Sequence, residues 1–154
     1  MQHPPHLQIE LLSKRFEPLK RLEQWQQQHS NAEPGTAAAE ALFIGRVRAQ
    51  ASDGAALTAL ELEHYPGMTE RQLNALATDC SQRHGVERCL ILHRIGRVLP
   101  GEAIVLVAIA ADRRGPAQRC CQELLEALKH EAPFWKREWR ADGNGQWITG
   151  NTPW

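Results

Sequence analysis

Two long apolar runs lie close together near the middle of the chain, and they constrain the fold more than any other feature. The first is CLILHRIG at residues 89–96, the second is EAIVLVAIAA at residues 102–111, and only RVLPG separates them. Runs of this length, rich in Val, Ile and Leu and bounded by Gly or Pro, are typical of strands with both faces buried. The two runs therefore predict buried strands of a sheet that other elements cover on both sides.

Weaker patterns predict the elements that provide this cover. Alternating apolar and polar residues predict further strands at residues 7–11, 41–48, 56–65 and 146–149. Apolar residues at helical spacing predict helices that begin near residues 16, 69 and 115. We expect the second and third of these strands to pair as a hairpin across the turn SDG. The mixture of hairpins and helices predicts an α+β fold, in one domain spanning residues 1–154.

The composition excludes several classes of function. Among 154 residues, 18 Lys and Arg balance 18 Asp and Glu, and the mean hydropathy is −0.47. A neutral chain has no general electrostatic attraction for nucleic acid, and no apolar run approaches the roughly 18 residues of a membrane span. The N-terminus lacks the basic start and apolar stretch of a signal peptide. We therefore expect a cytoplasmic protein in which any anion-binding surface is local.

The cysteines give no sign of a disulfide framework or of a metal site. The four residues are Cys80, Cys89, Cys120 and Cys121, and none forms a C-x-x-C pair. We expect buried thiols in a reducing compartment, with a catalytic cysteine as the less favoured alternative. No His, Cys or carboxylate cluster has metal-ligand spacing, so we expect neither a metal nor a cofactor. His93, inside the first apolar run, is predicted to be a core or near-core histidine.

Three separate segments carry cations, although the total charge is zero. FIGRVR places Arg46 and Arg48 on one face of a predicted strand. ADRRGPAQ places Arg113 and Arg114 just before a helix, where free backbone N–H groups and the helix dipole favour an anion. These patterns are typical of anion sites, and the alternatives are a solvated strand edge and a solvated basic turn.

The third basic segment, LKHEAPFWKRE, surrounds a rigid apolar corner. Lys129 falls in the last turn of a predicted helix, and Pro133 fixes the turn that follows. We expect Phe134 and Trp135 to anchor this turn in the core, which would hold Lys136 on a stiff segment. Buried aromatic rings beside a lysine lower the pKa of its amine and make it a nucleophile or a proton donor. The alternative is an aromatic-anchored loop with exposed basic tips.

Four motifs in this order resemble the large, catalytic subunit family of molybdopterin synthase: FIGRVR, LELEHYPGM, LHRIGRVLPGEAIVLVAIAADRRGPA and LKHEAPFWKRE. The resemblance covers residues 41–138, and GNTPW is typical of the tail, whereas residues 1–40 are less distinctive. It implies an α/β-hammerhead fold and an enzyme that converts cyclic pyranopterin monophosphate into molybdopterin. The two dithiolene sulfurs would come from the C-terminal Gly-Gly thiocarboxylate of a small ubiquitin-like subunit. Two large subunits would form the central homodimer of a heterotetramer.

The resemblance also implies the residues of the site. It places Lys129 and Lys136 at the two catalytic positions. Its substrate-binding positions are Arg46, Val47, Arg48, Arg113, Arg114, Arg137 and Glu138. Arg113 stands where many members have His, so a permanent cation replaces a group that can shuttle protons. The function left open beside the enzyme is a non-catalytic module that binds a ubiquitin-like C-terminal tail or an anionic metabolite.

Overall fold

The computed structural model describes residues 3–28 and 37–148, and this part of the chain forms three helices and eight strands. In chain order the elements are β1 (His6–Leu12), α1 (Pro18–Gln28), β2 (Ala39–Arg46), β3 (Leu57–His64), α2 (Met68–His84), β4 (Arg88–Arg94), β5 (Gly96–Val98), β6 (Ala103–Ala111), α3 (Arg114–Glu131), β7 (Phe134–Arg140) and β8 (Gly145–Trp147). The predicted α+β class is confirmed. Residue 149 of the last predicted strand and the GNTPW tail lie outside the described residues.

The two apolar runs form the centre of the first sheet, whose strand order is β1-β4-β6-β2. β4 and β6 pair antiparallel, with Ile91 opposite Val107. Alternate residues serve two cores: Ile91 and Val107 pack under α2 and α3, whereas Leu90 and Leu106 pack on the other face against Trp25 of α1. The sheet is covered on both sides, as the runs predicted.

The second sheet has the order β5-β3-β7-β8, and it shows that the predicted hairpin is wrong. β2 pairs with β6 in the first sheet, whereas β3 pairs with β5 and β7 in the second. Only a single bridge between Gln50 and Ala56 joins the two segments near the turn. The register of β2 shifts between Gly45 and Arg46, and such irregularities bend a strand. The chain therefore leaves the first sheet there and crosses to the second.

The corner after α3 leads directly into β7 and is anchored from α2. The Thr69 hydroxyl accepts a hydrogen bond from the Tyr65 N–H at 2.8 Å and donates one to the Pro133 carbonyl at 3.1 Å. Phe134 packs against the first core, as expected, but Trp135 is 48% exposed, so its predicted burial is wrong. The reason is that successive side chains of a strand point to opposite faces.

Two further expectations concern the cysteines and the membrane. All four cysteines are free and buried, which confirms their predicted burial. None of the helices in the described residues is long and apolar enough to cross a membrane.

Candidate active site

A cavity of about 620 Å³ lies between the two sheets at the C-terminal end of α3. Its walls include apolar residues of β2, β3 and α3, such as Phe43, Leu60 and Leu128. Its basic side chains come from segments far apart in sequence: Arg46, Arg48, Lys129, His130 and Lys136. The fold therefore brings together cations that the sequence placed in two separate motifs.

Lys136 occupies the middle of β7, opposite Leu62 of β3. The Ile148 N–H donates to the Lys136 carbonyl at 2.8 Å, which fixes the backbone beside the side chain. Burial lowers the pKa of the Lys136 amine, and the positive charge of Lys129 lowers it further. The direction agrees with the sequence prediction. A neutral amine can accept a proton and act as a base or nucleophile, so this shift makes Lys136 a candidate for proton transfer.

Lys129 reaches the same cavity from the last turn of α3. The helix dipole favours a cation at this end of a helix, so Lys129 is well placed without an acidic partner. Within residues 3–28 and 37–148, neither Lys129 nor Lys136 forms an ion pair with a carboxylate. Two ammonium groups in one partly dry cavity attract an external anion.

The end of β2 and the residues just after it contribute the two cavity arginines. Arg46 Nη1 donates to the Gly101 carbonyl at 3.1 Å, and Arg48 is exposed beyond the end of the strand. Val47 lies between them, lines the cavity and packs into a small apolar cluster. Gly45 is required here, because a Cβ on it would lie 2.9 Å from the Val105 Cγ1.

The last two predicted binding residues, Arg137 and Glu138, lie on opposite faces of β7. Glu138 lines the cavity on the same face as Lys136. Arg137 does not line it, because alternate residues of a strand face opposite ways. Its guanidinium lies 4.1 Å from the ring centroid of Trp147 and 5.2 Å from that of Trp139.

Arg113 and Arg114 lie at the other end of α3 from Lys129. The helix begins at Arg114, and fifteen residues at 1.5 Å per residue separate Arg114 from Lys129 by roughly 22 Å. Arg113 is largely solvent-exposed, with its Nε 3.5 Å from Asp112 Oδ2. Neither arginine lines the cavity. Within one chain, the predicted anion site at the start of α3 is thus separate from the lysines.

His93 is a cavity residue that the sequence prediction placed in or near the core. The ring is buried, stacks on Phe134 with centroids 4.1 Å apart, and lines the cavity. Burial lowers the pKa of His93 to about 4, and the charge of Lys136 adds to this. The neutral ring donates from Nδ1 to the Arg94 carbonyl at 2.8 Å, which leaves Nε2 unprotonated. The only sequence signal was a titratable residue within a buried strand.

The arrangement is suited to binding two anionic groups beside a deprotonatable amine. Arg46 and Arg48 supply guanidinium groups, which match the geometry of phosphate and carboxylate oxygens. Lys129 and Lys136 lie deeper, beside the apolar wall and the neutral His93. Cations placed in advance around a low-dielectric cavity stabilise charge that develops during a reaction. This chemistry fits group transfer between anionic reactants.

Known proteins are similar to this chain in both sequence and fold. The catalytic subunit of molybdopterin synthase from Ralstonia nicotianae is 44% identical over 71% of this chain, and the match spans 61% of that protein. The corresponding subunit from Pseudomonas aeruginosa is 45% identical over 70% of this chain and 71% of its own length.

Solved structures agree with these relatives. A molybdopterin biosynthesis MoaE protein from Burkholderia ambifaria superposes with a TM-score of 0.71 at 36% identity, covering 94% of this chain and 88% of that one. A complex of subunits 1 and 2 of molybdopterin-converting factor from Helicobacter pylori shares the fold, with a TM-score of 0.72 at 18% identity, covering 91% of this chain and 88% of that one. The model of the family described as MoaE protein matches residues 16–131. The chain therefore belongs to the MoaE protein family.

Proposed function

We propose that this chain is the catalytic subunit of a molybdopterin synthase. It would convert cyclic pyranopterin monophosphate into molybdopterin by installing two dithiolene sulfurs. The observation that carries the proposal is the convergence of Lys129, Lys136, Arg46 and Arg48 on one cavity of a chain in this family. A cytoplasmic location is part of the proposal, since the reaction uses a thiocarboxylate donor and no membrane component.

The sulfur donor is proposed to be the C-terminal Gly-Gly thiocarboxylate of a small ubiquitin-like subunit. This terminus is anionic, and the pterin substrate carries a cyclic phosphate. Bringing two anions together costs Coulomb energy unless cations stand beside both of them. The cavity supplies such cations, and its apolar wall, including Leu60 and Leu128, fits a chain terminus without side chains.

The two lysines would divide the chemistry. Lys129 would contact the carbonyl of the thiocarboxylate and stabilise negative charge as sulfur leaves. Lys136, whose pKa burial lowers, would exchange protons with the substrate or assist the opening of its cyclic phosphate. Glu138, which lines the cavity on the same face of β7, would contact the substrate. His93 stays neutral at pH 7 and offers Nε2 as an acceptor beside these groups.

The arginines would hold the phosphate and pterin end of the substrate. Arg46 and Arg48 line the cavity directly, and Val47, between them in sequence, would anchor their segment through its apolar cluster. Arg113 and Arg114 lie at the far end of α3, so their binding role requires a second copy of the chain. We expect a homodimer in which the start of α3 from one copy approaches the cavity of the other. Arg137 would act indirectly, by fixing β7 against Trp139 and Trp147.

The test mixes the purified chain with thiocarboxylated partner and cyclic pyranopterin monophosphate, and measures dithiolene product. Product is expected from the natural chain. Lys129→Arg and Lys136→Arg variants separate the enzyme from a non-catalytic binding module, because guanidinium stays protonated. A binding module would make no product with any variant and would keep its affinity for the partner's tail in both. Equal product from the natural chain and both variants would remove the lysines from the chemistry.

Mixing two inactive variants tests the dimer assignment. Arg114→Ala and Lys136→Ala would each damage a different half of a shared site. If the sites combine residues of two copies, a mixture of the variants regains part of the activity, since some mixed dimers carry one intact site. No recovery, with mixed dimers demonstrated by size and mass, would place Arg114 outside the reaction.

A further inference from the structure

The contact between α2 and α3 brings together a thiol, an imidazole and a carboxylate. Cys80 and His84 lie four residues apart on α2 and so share one face, and Glu123 meets them from α3. The Cys80 Sγ, one His84 ring nitrogen and one Glu123 carboxylate oxygen all lie within 4.8 Å of one another. We propose that these three residues form a binding site for one thiophilic divalent cation of the Zn²⁺ class.

The donor set selects the kind of ion. Thiolate, imidazole and carboxylate together are ligands of zinc and its neighbours in the transition series, whereas Mg²⁺ and Ca²⁺ prefer oxygen alone. Around tetrahedral zinc, bonds of about 2.0–2.3 Å place the donor atoms roughly 3.3–3.8 Å apart. Side chains already grouped within 4.8 Å reach that spacing by shifts of an ångström or less at each donor. Water would complete the fourth position, as it does in three-ligand zinc sites.

Neighbouring groups orient the carboxylate for this role. Arg83 Nη2 lies 2.5 Å from Glu123 Oε1, and His84 Nε2 lies 2.5 Å from Glu123 Oε2. Arg83 Nε is also held by Asp79 Oδ2 at 2.9 Å. One carboxylate oxygen is thus fixed by the arginine while the other faces the imidazole. Outer partners orient metal-binding side chains in the same way.

The buried Cys80 thiol is the reason to propose a metal site here and not only a set of ion pairs between α2 and α3. Arg83, Glu123 and His84 would tie α2 to α3 without any help from Cys80. Cys80 is nevertheless directed toward the same cluster, although it is only 2% exposed. His84 and Glu123 are more open to solvent, so an ion can enter from their side and meet the thiol at the inner wall. Without an ion, the Cys80 Sγ donates to the Cys120 carbonyl at 3.5 Å and lies 3.5 Å from the Cys120 Sγ, and ion binding would replace the donated bond.

Ion binding has a defined proton balance. The Cys80 thiol loses its proton to solvent as the metal–sulfur bond forms. His84 binds through Nε2, so its one remaining ring proton moves to Nδ1. Starting from the neutral imidazole, each ion bound therefore releases one proton, and the apparent affinity rises with pH until the thiol is ionised.

The site is independent of the proposed enzymatic function. None of the three residues lines the cationic cavity. A metal bound here would contradict the expectation, drawn from spacing along the sequence, that the chain binds no metal. Glu123 is 39 residues beyond His84, so only the packing of α2 on α3 unites them. The sequence itself shows only that Cys80 and His84 lie four residues apart, at helical spacing.

The experiment uses the full chain, stripped of metal with a chelator and then titrated with Zn²⁺ against a chromophoric competitor. The same protein is titrated with Co²⁺, which absorbs in the near ultraviolet when a thiolate binds it. We expect one ion per chain and a cobalt–thiolate band. Cys80→Ala and His84→Gln should each weaken binding at least ~10-fold, as changes around metal sites do. Cys121→Ala, which removes a nearby buried thiol outside the cluster, should change neither measurement.

Two results would overturn the site. One is the absence of saturable binding to the natural chain. The other is unchanged affinity and an unchanged cobalt spectrum in both Cys80→Ala and His84→Gln. Circular dichroism establishes that each variant is folded, and the partly exposed His84→Gln serves if Cys80→Ala does not fold.

Discussion

The two faces of β7 place neighbouring cations in contrasting environments. Lys136 points into the cavity, where burial and the charge of Lys129 lower its pKa. Arg137 points the other way and lies over the rings of Trp139 and Trp147. Because successive side chains of a strand alternate between its two faces, the two cations lie on opposite sides of the sheet. Adjacent residues that look like one basic motif in the sequence can therefore serve a reaction on one face and packing on the other.

The difference lies in what surrounds each charge. The aromatic faces partner the Arg137 guanidinium, so this cation stabilises the sheet where it stands. The Lys136 amine has no carboxylate partner among the described residues and lies half-buried beside a second ammonium group. A charge held in this way is ready for an external anion or for loss of a proton. Removing the two side chains should therefore have different consequences.

The largest expected effect is on product formation by Lys136→Ala. Loss of a positioned proton-transfer group typically lowers a rate by about 10²–10⁴-fold. In single-turnover assays with preformed thiocarboxylate, Lys136→Ala should fall in this range. Arg137→Ala, the matched variant on the opposite face, should keep a rate close to the natural one, because its side chain does not line the cavity. Equal losses in the two variants would mean that the faces of β7 do not divide chemistry from packing.

The second effect is on stability in acid, and it comes from His93 on the cavity side. An unfolded histidine titrates near 6.5, whereas burial lowers the pKa of His93 to about 4. The unfolded chain therefore binds one more proton between these values, so the free energy of unfolding falls as pH drops from 6.5 to 4. The loss from this group should total about 3 kcal/mol.

Urea unfolding at several pH values measures this loss. His93→Asn is the control, because its amide keeps a donor for the Arg94 carbonyl and does not titrate. Other groups titrate in the same window, and the difference between the two proteins removes their contribution. Parallel stability curves for His93→Asn and the natural chain would show that the imidazole is not held neutral.

The smallest effect is on stability at neutral pH in Arg137→Ala. Losing the contacts with Trp139 and Trp147 should lower the free energy of unfolding by about 1 kcal/mol, the scale of a partly exposed cation–π pair. Urea unfolding measures it, with Arg71→Ala on the exposed face of α2 as the control. A loss no larger than that of the control would mean that the contacts of Arg137 with the two aromatic rings do not stabilise the fold.

Sequence patterns predicted the parts of the fold that depend on local periodicity. The runs that became β4 and β6 were long and apolar enough to require burial on both faces, and they form the centre of the first sheet. The pairing of β2 with β3 was predicted wrongly, because proximity along the chain favoured a hairpin. The actual partners, β6 and β7, are distant in sequence, and no local pattern shows which sheet a strand joins.

The candidate site was also predicted only in part from the sequence. Lys129, Lys136, Arg46 and Arg48 were singled out from the sequence and do line one cavity. The sequence suggested a corner near Arg137. This residue lies in a strand instead, and the alternation of the strand directs its side chain away from the cavity. His93 was correctly predicted to lie in or near the core, but an apolar strand hides whether a buried polar residue also borders a cavity. These errors share one cause: environment is set by the facing element, which the local sequence does not contain.

The most direct test that Lys129 and Lys136 share a partly dry cavity is the pKa of the Lys136 amine, measured by NMR on protein with isotope-labelled lysine side chains. We expect a pKa below the usual 10.5, and we expect Lys129→Ala to raise it, because one of the two causes of the lowered pKa is removed. Lysines elsewhere on the surface, such as Lys20, serve as the reference within the same spectra. A Lys136 that titrates with this reference, and that does not respond to Lys129→Ala, would contradict the shared, partly dry cavity.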